Sequence, residues 1–185
     1  MADFEKTSLA TYEAQWFLEF YNSLRSNAGV IPFKDALKPH ALAPILGFVF
    51  ILEKLPGGFF FRLFGSKIAE IVGRENTRKY MHEILNGDDL DHVNNLLIRC
   101  LSMPVIVATT ERLLSPGKEW VEVEIIRCPF RDEHGDARFI AGTFNKTGVA
   151  EKFSGPKIID WHDIKIEKKS ISRVDIPLQT RSLYP

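Results

Sequence analysis

The chain has 185 residues, with 24 Lys and Arg balancing 24 Asp and Glu, and 45% of it is apolar. That length suits one domain with a tail, and a formal charge of zero lacks the basic excess on which nucleic-acid binders rely. No apolar run has membrane-spanning length, and the two cysteines, Cys100 and Cys128, make no disulfide framework.

The first residues, Met1 to Lys6, lack the charged-then-apolar pattern of a signal peptide, so a cytoplasmic protein is expected. Residues 1–10 read as an extension. From about Thr11 to Asn27 an amphipathic helix is predicted: Tyr12, Trp16, Phe20 and Leu24 fall four apart, and Phe17 and Tyr21 widen the stripe. Gly29 supplies its stop. The stripe either packs on the domain's own sheet or also forms a dimer or partner surface through Trp16, Phe17, Phe20 and Tyr21; aromatic residues suit interfaces. Ile31-Pro32 restarts the chain in extended form, and Asp35 to Leu46 reads as a short helix broken by Pro39 and Pro44.

Gly47 to Gly65 is the most informative stretch. Strands rich in Phe, Val and Ile flank Leu55-Pro56-Gly57-Gly58, the composition of a turn. The hairpin is apolar on both faces and therefore needs two covering layers, or one layer and a ligand. A short helix from Ser66 to Val72 follows, with Ser66 as its cap and Gly73 as its end. Glu75 to Leu85 reads as another short helix. Asp88 and Asp89 suit the positive mouth of a longer helix, whose buried stripe is Leu90, Val93, Leu97, Ile98 and Leu101, and Pro104 ends it.

Three strands come next. Val105 to Arg112 is apolar and β-branched. Trp120 to Arg127 alternates, with Val121, Val123 and Ile125 on one face and Glu122 and Glu124 on the other. Glu133 to Asp136 makes a turn, and Arg138 to Asn145 runs back. Strands in separate groups with helices between them indicate an α+β fold with an antiparallel sheet. From Gly148 the pattern weakens, and residues 148–185 read as a tail, partly extended along the domain or disordered.

Two short strands, a cluster of small helices and three longer strands is an order that resembles a PAS domain, from Trp16 to about Thr147. The chain is most similar to a family of small, stand-alone PAS-like proteins of alphaproteobacteria. The residues carrying the resemblance are Trp16 and Arg25, Gly29 with Ile31-Pro32, Leu37, Pro39, Leu42 and Ile45-Leu46. They continue with Phe50, Leu52 and Glu53, then Phe61-Arg62-Leu63-Phe64-Gly65, and Gly73-Arg74-Glu75. Asn145-Lys146-Thr147 stands where many PAS domains end with Asp-Ile-Thr, so Asn145 departs from the pattern there. Family members often carry a further Gly where this chain has Asn76 to Tyr80. The resemblance implies a domain over residues 11–147 with a five-stranded antiparallel sheet, a helical cluster on one face and an N-terminal amphipathic helix. It also implies a sensory or interaction module that holds a small molecule between sheet and helices, or pairs with proteins through its outer face.

Candidate ligand residues are Phe50, Phe60, Arg62, Phe64, Tyr80 and His82. The phenylalanines line either an apolar pocket or a packed core. Arg62 facing inward would need an anion; the other reading pairs it with Glu53, Glu70 or Glu75, or leaves it exposed. No histidine pair has metal-ligand spacing. His82 or His92 could serve a haem, but each reads more simply as a surface histidine, and neither cysteine sits in the motif of a flavin photosensor. Glu122 and Glu124 invite acid–base chemistry but read as a solvated strand face. No catalytic residues and no metal are assigned, and the cofactor is left unknown. The expected function is a non-enzymatic sensory or regulatory module that binds a small metabolite, a second copy of itself or another signalling protein. The alternatives are a cone-shaped α+β carrier or enzyme with an apolar cavity, and a purely structural dimer. Strand order separates the first of these from PAS, which places the first strand beside the last.

Overall fold

The computed structural model describes residues 9–28, 31–103, 105–114, 119–152, 166–170 and 176–177. Most of the N-terminal extension and most of the tail predicted for residues 148–185 lie outside them. The apolar hairpin forms as its composition dictates: β1 (Val49–Leu55) and β2 (Gly58–Phe64) pair antiparallel. Leu55 pairs with Gly58, so the turn itself is Pro56-Gly57. Gly58 has φ 118°, which glycine adopts without a Cβ clash. The three later stretches form β3 (Val105–Leu114), β4 (Glu119–Arg131) and β5 (Ala137–Lys152), all antiparallel and longer than the pattern predicts.

The sheet order is β2-β1-β5-β4-β3, with the first strand beside the last. This is the PAS order, not that of the cone-shaped alternative. β6 (Ile166–Ser170) and the short β7 (Ile176–Pro177) add to the far edge of β3. At the centre, β5 depends on Gly142: a Cβ there would lie 1.6 Å from the carbonyl oxygen of Ile126.

Each face of the sheet is covered by its own layer. On the inner face, Phe50, Leu52, Phe61, Phe64, Val123 and Ile125 pack with Ile68 of α2 (Ser66–Val72) and with Val93, Leu97 and Leu101 of α3 (Gly87–Ser102). On the outer face, Val49, Ile106, Ile126, Phe130, Phe139 and Ala141 pack under Ala14, Phe17 and Tyr21 of α1 (Tyr12–Ala28). The inner face of the hairpin is thus covered by helices of this chain, while on its outer face Val49 is buried, Ile51 and Leu63 are partly buried, and Ile51 borders an open groove. Burying a side chain such as Phe17 contributes about 1.5–3 kcal/mol. Tyr21 is also satisfied at its polar end, where the hydroxyl donates to the Pro129 carbonyl at 3.0 Å.

Several local expectations are corrected. The buried stripe of α1 is Ala14, Phe17 and Tyr21, while Trp16 and Phe20 are half-buried and Tyr12 is 65% exposed. Phe17 and Tyr21 are therefore core residues and present no surface to a partner. Gly65, not Ser66, occupies the cap position of α2, whereas Gly73 ends it with φ 76° as expected. The helix expected over 35–46 is replaced by single 3-10 turns at Lys34–Ala36 and Leu46–Phe48, because Pro39 and Pro44 cannot donate to a helix. The helix expected over 75–85 is only a 3-10 turn at Met81–Glu83. The preceding residues instead bond to β2, Arg78 N–H to the Phe61 carbonyl and Phe61 N–H to the Lys79 carbonyl. In α3, Val93, Leu97 and Leu101 are buried as expected, but Ile98 is exposed and Cys100 takes its place.

Candidate functional site: a cavity between sheet and helices

Helices α2 and α3 stand off the inner sheet face far enough to leave a cavity of about 110 Å³. Its walls are mainly apolar and include Phe50, Phe61, Phe64, Ile68, Leu97 and Ile125. Three polar side chains break the apolar lining: Asn76, Glu111 and Arg127.

Glu111 and Arg127 reach the cavity by strand alternation. Glu111 follows Val105 and Val107 on the inner face of β3, and Arg127 follows Val123 and Ile125 on that of β4. Arg127 Nη2 donates to Glu111 Oε1 at 3.0 Å, and Nη1 donates to Thr109 Oγ1 at 2.8 Å. The Thr109 hydroxyl in turn donates to Glu111 Oε1 at 2.6 Å. All three residues are buried, so the ion pair is closed upon itself and neutral overall.

Asn76 arrives on the chain between α2 and the 3-10 turn. Its backbone is fixed: its carbonyl accepts from Lys79 N–H, and its neighbour Thr77 accepts from Phe64 N–H through Oγ1 at 3.1 Å. Arg78 takes the left-handed conformation at φ 65°, which a glycine would adopt freely. The Asn76 side chain is 1% exposed, and its Oδ1 has no hydrogen-bond partner among the described residues.

Of the residues predicted to bind a ligand, Phe50 and Phe64 line this cavity. Phe60, Arg62, Tyr80 and His82 do not. Arg62 is the extra residue of a bulge in β2, opposite the step from Ile51 to Leu52, which turns it to the outer face. There it pairs with Glu53, which also receives Arg138 Nη2 at 2.8 Å. Arg62 borders an open outer groove with Lys34, Lys38 and Ile51, away from the cavity. Phe60, Tyr80 and His82 form a ring cluster instead, with Tyr80 stacked on His82 at 5.2 Å and Phe60 edge-on to Tyr80 at 5.0 Å. Glu122 and Glu124 do not form a solvated face either. Glu124 is buried beneath the start of α1, where Oε1 accepts from Ala10 N–H and Oε2 from Thr11.

Asn76, Glu111 and Arg127 were not singled out from sequence, although one signal was present. Each of the two charges occupies an inward position in an otherwise apolar alternation, which is where a buried polar residue should be sought. Among the described residues there is no cluster of His, Cys, Asp and Glu able to hold a metal, and no helix long and apolar enough to cross a membrane. Cys100 and Cys128 are free, buried thiols.

An antiparallel sheet with the first strand beside the last, helices on one face and a lined cavity between them define a module of the sensor type. A family model described as PAS domain matches residues 9–145, and the chain belongs to that family. Its class is that of sensory and regulatory modules. No curated protein and no solved structure matches the chain.

Proposed function

We propose that this protein is a non-enzymatic, cytoplasmic PAS sensor that admits a small metabolite to the cavity between α3 and the sheet and passes its occupancy on by protein contact. The observation that carries this reading is the cavity itself, apolar on most of its wall and polar at a few points, as ligand sites usually are. Binding would favour one setting of α2 and α3 against the sheet, which requires unequal affinity for two states. Strand β4 offers a route outward, because Ile125 and Arg127 border the cavity while Glu124 and Ile126 on the same strand hold α1. The outward side of α1 carries Tyr12, Trp16 and Phe20, with the Trp16 and Phe20 rings stacked at 5.5 Å. This row is where a second copy or another signalling protein would dock.

Native mass spectrometry of protein purified from its own host tests the ligand. A retained small molecule that is lost in the cavity-filling variant Leu97→Trp is the expected result. The reading fails if no small molecule is retained and the amides of α3 ignore a metabolite panel in NMR titration. For the outer surface, Trp16→Gln with Phe20→Ser should turn a dimer into a monomer by light scattering. A dimer that survives both changes excludes this helix as the interface.

A further inference from the structure

We propose that the cavity selects small, electrically neutral molecules that carry one hydrogen-bond donor on an apolar body, and that Asn76 reads the donor. This rests on the cavity being a ligand site. The class includes short alcohols and small N–H heterocycles.

The size follows from the volume. An engineered apolar cavity of about 150 Å³ holds benzene, so the 110 Å³ here suits about five or six heavy atoms. The apolar body follows from Phe50, Phe61, Phe64 and Leu97 on the wall. Neutrality follows from the charges. Glu111 and Arg127 already neutralise each other and share Thr109, so an ionic ligand would be desolvated without a free counter-charge.

The donor follows from Asn76. Asn76 lines the cavity, and its Oδ1 is a buried acceptor with no partner among the described residues. Leaving such a group unpaired is costly, whereas pairing it restores what was lost on burial. An O–H or N–H on the ligand does this; a ligand of the same shape without one leaves Oδ1 stranded. Discrimination of this kind is much stronger than discrimination by one methylene. The loop cannot easily turn Asn76 away, because its neighbours are bonded to β2 through Phe61 and Phe64.

Two near-isosteric pairs within that size test this on the full chain: pyrrole against furan, and cyclopentanol against fluorocyclopentane, titrated by NMR with the amides of Ile125 and Arg127 as reporters. The donor member of each pair should bind about tenfold or more tighter. In Asn76→Leu that preference should vanish while furan and fluorocyclopentane still bind. Equal affinity within each pair, tighter binding of furan, or a preference that survives Asn76→Leu overturns the inference and leaves the cavity reading standing. If none of the four compounds binds, the cavity reading itself fails. Should Asn76→Leu not fold, butyrate against cyclopentanol and pyrrole on the native chain decides. Binding of both neutral donors without butyrate supports the inference, and butyrate binding as tightly as cyclopentanol overturns it.

Discussion

Arg62 pairs with Glu53 across the outer face of the β1–β2 hairpin, and the same carboxylate receives Arg138 from β5. The Glu53 side chain is 7% exposed, while the arginines are 50% and 41% exposed. The carboxylate is therefore the group that needs partners, because either arginine can return to water. Arg62→Met alone leaves Glu53 with Arg138 and should cost about 1 kcal/mol or less. Removing both arginines strands a buried charge and should cost about 3 kcal/mol or more, well above the sum of the single changes. Urea denaturation of the two single variants and the double variant measures the coupling. Strict additivity would mean that Glu53 is solvated.

Burial pushes the Cys100 thiol from 9.0 up to about 12 and holds that of Cys128 well above its ordinary value. The folded protein then keeps both protons at a pH where the unfolded chain loses them. Stability is fully present below the unfolded pKa and falls as pH rises toward the folded one, by at most about 1.4 kcal/mol per pH unit for each thiol. Desolvation also raises Tyr21, which adds to the fall at still higher pH. The urea midpoint should be level from about pH 7 to 8 and drop between about pH 9 and 11. Cys100→Ser with Cys128→Ser should flatten the first part of that drop.

Arg78 stands at φ 65°, a conformation that carries a penalty of about 1–2 kcal/mol for a residue with a Cβ. Glycine removes the penalty but adds freedom to the unfolded chain, worth up to about 1 kcal/mol. Arg78→Gly should therefore be neutral or stabilise by about 1 kcal/mol, whereas Arg78→Val should destabilise by at least as much. Thermal unfolding ranks the three proteins, and a Val variant as stable as the parent would show that the loop takes another conformation.

The sequence carried most of this fold because its strands are periodic over long stretches. The alternation of Val121, Val123 and Ile125 orients β4, and the greasy hairpin calls for the layer that the α2–α3 cluster supplies on its inner face, while α1 lies chiefly over β4 and β5. The site was less legible. Phe50 and Phe64 were found because apolar strand residues on one face stay together. For Arg62 the pattern leaves open an inward anion site and a pair with a carboxylate such as Glu53; it takes the pair, because the bulge in β2 sets it on the outer face, out of step with Phe64. Tyr80 and His82 were read as helical, but the chain there bonds to β2 and carries Asn76 into the cavity instead. Periodicity does not report a bulge or a left-handed residue such as Arg78, since both are settled by tertiary contacts.

Glu124 joins the sheet to α1. Its carboxylate accepts Ala10 N–H at 2.7 Å, Thr11 N–H at 3.0 Å and the Thr11 hydroxyl at 2.6 Å, immediately before the helix begins at Tyr12. A negative charge at that end also suits the helix dipole. Gln keeps the shape but offers one oxygen and no charge, so Glu124→Gln should destabilise by about 1.5–3 kcal/mol. Hydrogen exchange should show the loss concentrated in the first turns of α1, with β3 to β5 falling only by the global amount. The same variant tests the route outward from the cavity. Its neighbour Ile125 lines the cavity on the opposite face of β4. With pyrrole as the probe, the native chain should show NMR shifts at Ile125 and also at residues 12–16 of α1. In Glu124→Gln the shifts at Ile125 should remain and those in α1 should shrink. An α1 response that persists undiminished would place the route elsewhere in the sheet.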